Sequence, residues 1–426
     1  MNESNLQAPP AISANSKSST TTRAQWLVLA AAFLGWMFDG LEMGMFPVVA
    51  RPALQTLLGT TSDQEVGPWM GYITALFLLG AAGGGLVFGW LGDKVGRVRA
   101  MTASILTYSL FTGTCAFATA AWQLGLFRFI AALGMGGEWS LGVALVMECW
   151  PEQKRPLLAG AIGAASNFGY ALIGLVTWIF PVHPNSWRWV LLCGAGPALL
   201  ALLISLYVPE SKRWKQAVQQ TKANPLREVF GRNLFGTTVL AICFSSVALI
   251  GTWASVQWLP LWADKMIGET FPRVKGLTMF TLSCGAILGS FLGPLIGAWS
   301  GRRIAYFGLC VGSLLSCGVL YRTVTEFGAA FLVGSFVAGA TTAAFYGWLP
   351  LYLPELFPTR ARATGQGLSY NAGRILAAVG ALTQGALVKS YGGSYARAGA
   401  IITLVYLIGM VLIWFGRETK GQPLPE

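Results

Sequence analysis

Five ionisable side chains lie inside long apolar stretches of the chain: Asp39, Glu42, Arg128, Glu138 and Arg374. A charge at membrane depth is costly, so each of them needs a function or a counter-charge. Asp39, Glu138 and Arg374 each fall close to the midpoint of their apolar segment. At about 1.5 Å per helical residue, that places all three within roughly 5 Å of one level. Glu42 follows Asp39 at i+3, on the same helical face. Arg128 precedes Glu138 on its own segment and lies about 15 Å from it along a helix. A buried carboxyl can load and release a proton near neutral pH. A buried guanidinium keeps its charge and presents a planar fork that matches a carboxylate. The pattern therefore points to Asp39, Glu138, Glu42 and Arg128 for proton handling, and to Arg374 for an anionic substrate. Two structural alternatives stay open: Arg374 neutralising one of the acids, and Arg128 serving as a fixed counter-charge for Glu42.

Uncharged polar residues at the same depth can shape a pocket around them. Tyr370, Asn371 and Arg374 share one helical face at i, i+1 and i+4. Asn167, Tyr170 and Tyr346 join them as candidate substrate contacts, with Trp348 and Gln257 nearby in depth. Other chemistries find little support. The single histidine, His183, excludes a multi-histidine metal site and falls in a short loop where a solvated role is expected. The seven cysteines lie within apolar runs without CxxC spacing and read as small buried hydrophobes. No nucleophile–base pair stands out, so neither an enzyme, a metal nor a cofactor is expected.

The elements that must hold these residues are membrane helices. Of the 426 residues, 54% are hydrophobic and only 11% charged, and the mean hydropathy is +0.58. A soluble domain carries roughly a quarter charged residues, so this chain cannot cover a water-facing surface. Twelve apolar segments of spanning length follow one another: 26–49, 69–91, 99–119, 122–149, 157–180, 187–208, 234–262, 274–299, 303–322, 327–351, 363–388 and 395–416. The fold class is all-α and polytopic, with twelve transmembrane helices. The polar, basic stretch 209–233 divides them six and six, giving an N-terminal bundle over 24–208 and a C-terminal bundle over 234–416. Residues 1–23 read as a disordered tail and 417–426 as a short second tail.

The formal net charge of +12 resembles a nucleic-acid signature until the basic residues are placed. With the N-terminus inside, 19 of the 29 Lys and Arg fall on the cytoplasmic side, eight on the other, and Arg128 and Arg374 within helices. That bias puts both termini in the cytoplasm and accounts for the charge without nucleic acid. The expected partners are a small molecule, protons and the lipid bilayer, with the chain acting as a monomer in a cytoplasmic or plasma membrane.

Sequence motifs narrow this further. Between the second and third segments stand Gly89, Gly92, Asp93, Lys94, Gly96, Arg97 and Arg99, and the second half carries a worn copy, Gly297, Gly301, Arg302 and Arg303, without the Asp. The chain resembles the major facilitator superfamily over essentially its whole length. That resemblance implies two six-helix bundles, rocker-switch alternating access, and a gating latch built from Gly89, Gly92, Asp93, Gly96 and Arg97. It also pairs the acid at the end of the fourth helix, Glu148, with Arg97, and associates Arg128 with proton transfer. The run from Arg128 through Gly134, Gly136, Gly137, Glu138 and Trp139 to Glu148, Trp150 and Pro151 is similar to that of proton-coupled organic-acid symporters of the sialate, monocarboxylate and aromatic-acid branches, with Ala132 in place of a glycine. Phe38-Asp39-Gly40-Leu41-Glu42 fits the same branches, with Glu42 for a second Asp. The segments 209–214 and 354–365 recur across the wider group of sugar and organic-ion porters. The expected function is proton-coupled symport of a small organic acid. The alternatives are a sugar, polyol or zwitterion carrier, in which Arg374 is structural, and a membrane sensor that binds without transporting. Retention of the 89–99 loop weighs against the sensor.

Overall fold

The computed structural model describes residues 23–60, 63–179, 185–211, 214–216, 225–267, 270–271, 273–392 and 394–425. His183, Lys212, Arg213 and most of the N-terminal tail lie outside the described residues. The first half comprises α1 (Arg23–Leu58), α2 (Asp63–Val95), α3 (Arg97–Thr114), α4 (Ala121–Cys149), α5 (Arg155–Ile179), α6 (Trp187–Cys193) and α7 (Pro197–Tyr207). A short α8 (Pro225–Val229) leads into the second half. There follow α9 (Arg232–Trp253), α10 (Leu259–Ile267), α11 (Val274–Ser300), α12 (Arg302–Thr323), α13 (Ala329–Leu356), α14 (Arg362–Ser390), α15 (Tyr395–Ile402) and α16 (Val405–Leu412). No strand occurs among the described residues.

The twelve expected spans are present as helices, with instructive departures. Ten helices are long and apolar enough to cross a membrane by length and composition alone. The other two, α3 and α14, are the polar ones. On α14, Thr364, Gln366, Ser369, Asn371, Arg374 and Gln384 are all buried, because this helix turns its polar face to protein rather than lipid. The sixth span is broken into α6 and α7 at Gly194–Gly196, with Pro197 opening the second piece. α1 runs past its expected end at 49 to Leu58. Its extra turns are held by a separate core in which Val49, Ala50, Ala53 and Leu54 pack with Leu124, Trp187 and Leu191.

Glycine sets the closest helix approaches, as expected where packing rather than hydrophobicity drives association. Gly285, Gly289 and Gly293 let α11 lie directly on the α13 backbone at Phe336, Ala340 and Ala344. Gly80 and Gly84 do the same for α2 on α4. Between halves, α2 packs on α14, and α5 packs on α11 and α13. The loops at 93–99 and 298–303 lie at one end of the molecule, here termed the motif end.

Candidate functional site

Three helices deliver the site. Asp39 on α1, Glu138 on α4 and Arg374 on α14 are 0%, 1% and 3% exposed, so the site is closed to water. Gly35 stands one turn before Asp39, and a side chain there would overlap the Glu138 carboxylate. The two carboxyls interact directly, and Asp39 also feels the Arg374 charge. None of their four oxygens accepts a hydrogen bond from the protein. Arg374 Nη1 donates to Asn371 Oδ1 at 3.0 Å, and its guanidinium lies 5.2 Å from the Tyr370 ring centroid. Asn371 Nδ2 in turn donates to the carbonyls of Gly136 (2.8 Å) and Gly367 (3.0 Å). That bond clamps α14 to α4 across the two halves and fixes where the guanidinium stands. Among the described residues, Arg374 forms no ion pair closer than 4.0 Å.

Aromatic rings wall the site. Tyr370 stacks on Trp139 with centroids 4.1 Å apart and planes 19° apart. Trp36 meets both rings at 6.4 Å. Tyr170 and Tyr346 lie within the electrostatic reach of Arg374 and Tyr370. Asn167, three residues before Tyr170 on α5, is half-buried. Trp348 does not join them; it packs with Tyr306 and Tyr352 inside the second half. The indole N–H groups of Trp36 and Trp139 and the Tyr346 hydroxyl are buried without a hydrogen-bond partner. So is the entire amide of Gln366, one turn before Tyr370. Buried polar atoms are normally satisfied, and these donors and acceptors are not. Sequence reasoning passed over Trp36, Trp139, Gln366 and also Tyr108, which lies beside both acids. Helical spacing carried a signal for two of them: Trp36 is i−3 from Asp39, and Gln366 is i−4 from Tyr370.

Glu42 and Arg128 form a separate constellation. They make a buried ion pair with each other, and Thr112 Oγ1 donates to Glu42 Oε1 at 3.1 Å. Phe46 and Phe77 flank the Arg128 guanidinium, each with its centroid at 4.8 Å.

At the motif end, Gly96 takes a φ of 115°, open to glycine and strained for other residues. Arg97 follows and is fully buried. It pairs with Asp93 and donates to Gly92 O (2.8 Å), Glu148 Oε1 (3.2 Å) and, across the halves, Thr359 O (2.8 Å). Asp93 Oδ2 accepts from the Thr364 N–H (2.8 Å) and hydroxyl (2.6 Å). Arg362 Nη1 reaches back to Glu148 Oε1 at 3.1 Å. Gly89 leaves α2 free to lie against Ala363. Glu210 accepts from the N–H groups of Arg97 (3.0 Å) and Val98 (3.1 Å), an anion at a helix N-terminus. Nearby, Glu228 receives a forked donation from Arg360 Nε (2.7 and 2.9 Å), and that bond holds the Arg360 pKa above its ordinary value.

The segment after α16 joins this end. Thr419 Oγ1 donates to Glu355 Oε2 at 2.6 Å, and Leu424 is buried in the main core. The Pro425 carbonyl accepts from Arg362 Nη2 (2.8 Å) and Thr359 Oγ1 (3.2 Å). Partial burial alone would raise the Glu418 pKa, but the N–H groups of Arg302, Arg303 and Lys420 outweigh it and hold the carboxyl below its usual range.

Comparison with known proteins agrees with this architecture. A putative metabolite transport protein of Haemophilus influenzae is 29% identical, over 94% of this chain and 98% of its own. A cis,cis-muconate transport protein of Acinetobacter baylyi is 27% identical, over 96% and 98%. Among solved structures, the proton:xylose symporter XylE bound to 6-bromo-6-deoxy-D-glucose superposes with a TM-score of 0.78 at 16% identity, over 94% and 98% of the two chains. The family model of the Major Facilitator Superfamily matches residues 27–381. This chain is an integral membrane protein that belongs to the Major Facilitator Superfamily of transporters.

Proposed function

We propose that the protein is a proton-coupled symporter of a small organic acid, with the motif end and both termini in the cytoplasm. The observation that carries this reading is the charge set at the centre. A buried guanidinium bonded to an amide, not to a carboxylate, faces two buried carboxyls that have no hydrogen-bond donors. Arg374 receives the substrate carboxylate, in a site walled by Trp36, Trp139, Tyr170, Tyr346 and Tyr370. Asp39 and Glu138 carry the proton: one shared between facing carboxyls removes the repulsion of two like charges. With both acids ionised the centre sums to one negative charge, so one proton neutralises it and a second offsets a bound carboxylate; a neutral centre is the state that can be closed on both sides at least cost. The muconate carrier noted above handles an organic acid by its name, which supports the substrate class.

The test is uptake of labelled sialic acid, lactate and a hydroxybenzoate into proteoliposomes, with and without an inward proton gradient. The native protein is expected to accumulate one class of acid only when the gradient is imposed. Arg374→Ala should lower that uptake by about 10- to 100-fold, the scale of one charge-assisted hydrogen-bonding group. Asp39→Asn should retain exchange of labelled for unlabelled substrate while losing its response to the gradient. Correctly inserted protein that moves none of the acids would sink the organic-acid reading and leave Arg374 as a structural charge.

A further inference from the structure

At the end opposite the motif loops, a cavity of about 650 Å³ lies between the last turn of α12, α10 and the α14–α15 connection. Its walls come wholly from the second half, so it lies off the seam between halves. Arg322 and Arg397 line it beside Tyr391 and Ser394, over Trp262 and Tyr321. Both arginines are exposed. Arg322 Nη1 donates only to Gly318 O of its own helix, at 3.2 Å. Neither guanidinium pairs with a carboxylate among the described residues. Among the described residues, two cations thus share one cavity without an ion-paired carboxylate.

An apolar strip leads away from them. Ile401 lines the cavity, and Leu404 and Ile408 continue its helical face at i+3 and i+7. On α12, which packs along α15 and α16, Val319 and Leu315 continue the face of Arg322 in the same direction. These five side chains are 38% to 61% exposed. Paired cations at the end of an exposed apolar strip match an anion that carries hydrocarbon chains, since charge alone would not need the strip.

We propose that this cavity holds the headgroup of an anionic phospholipid, its phosphate between Arg322 and Arg397 and its acyl chains along the strip. The site is independent of the substrate site. The experiment uses purified full-length protein stripped of lipid and titrated separately with phosphatidylglycerol, phosphatidylcholine and inorganic phosphate. Bound lipid is counted by native mass spectrometry. The native protein is expected to prefer phosphatidylglycerol by roughly 30-fold, the size expected of two basic side chains meeting an anionic headgroup. The double variant Arg322→Gln, Arg397→Gln should lose that preference while keeping its thermal stability in phosphatidylcholine. The charge-keeping pair Arg322→Lys, Arg397→Lys should retain it, which separates loss of charge from loss of fold. Equal retention of both lipids by the native protein would overturn the proposal, as would an unchanged preference in the glutamine variant. Displacement of the lipid by excess inorganic phosphate would overturn it too, in favour of a free-anion site.

Discussion

The two motif loops are built from the same parts and joined to the molecule differently. Gly96 and Gly301 take φ values of 115° and 96°. Arg97 and Arg302 each donate at 2.8 Å to the carbonyl five residues earlier, Gly92 and Gly297. Each arginine then meets a glutamate at the end of another helix of its own half, Glu148 or Glu355. A hydroxyl donates to each glutamate, from Ser211 at 2.5 Å and from Thr419 at 2.6 Å. Glu210 and Glu418 cap the helices that begin at the two arginines. The difference lies in what each loop reaches. Asp93 has Ala298 at its counterpart position; Asp93 reaches the other half at Thr364, and Arg97 does so at the Thr359 carbonyl. Arg302 keeps both its glutamate bonds at home, at 3.0 and 2.7 Å. Likewise Arg362 crosses to Glu148, while its counterpart Arg155 pairs with Glu152 three residues away. One loop is a turn that also joins the halves; the other is only a turn. The α5–α11 seam holds through close contacts such as Ser290 Oγ donating to the Gly163 carbonyl at 3.3 Å.

The largest expected break in this comparison is Arg97→Ala. It leaves Asp93 buried without a cation and Glu148 with Arg362 alone, and removing one member of a buried pair costs about 3–5 kcal/mol. A spin-label pair spanning the halves at the motif end should then report longer and broader distances. Arg302→Ala should lower the melting temperature comparably and leave that inter-half distance unchanged. If both variants separate the halves equally, the asymmetry is wrong.

Asp93→Ala gives the first loop the pattern of the second and should act more mildly. It removes charge-assisted bonds to Thr364 worth about 1.5–3 kcal/mol, shifting the opening equilibrium at this end by about 10- to 100-fold. The glutamate pair with Arg97 remains, so thermal stability should fall less than in Arg97→Ala.

The smallest effect concerns pH at the second loop. The folded pKa of Glu418 lies below its ordinary value. Its contribution is therefore fully present above the ordinary glutamate range near pH 4.3 and is lost as pH falls through the lower folded value. Melting temperature measured between neutral and strongly acid pH should show a slightly shallower acid decline in Glu418→Gln than in the native protein. An identical decline would remove Glu418 from the cap.

These contrasts bear on what the sequence made legible. Counting residues from segment ends placed Asp39, Glu138 and Arg374 at one level, because a membrane helix converts sequence position into depth. Counting left two roles open for Glu42. At i+3 it shares a face with Asp39, and the structure shows the other role, a pair with Arg128 on α4, since a small rotation decides which neighbour a side chain meets. The missing Asp of the second loop was visible in the sequence. What it would have touched was not, because the contacts of Asp93 lie about 270 residues downstream. Trp36 and Trp139 look like any buried indole until their N–H groups prove unsatisfied. The stretch after residue 416 read as a plain tail because proline and glutamine carry no helical period.

That last stretch has a practical consequence. The Pro425 carbonyl is held by Arg362 and Thr359, which also hold Glu148 and Arg97 of the first half. Whatever displaces the Pro425 carbonyl works directly against the Arg362 and Thr359 bonds, so the segment after α16 is a strap on the same end of the molecule that the first motif loop fastens.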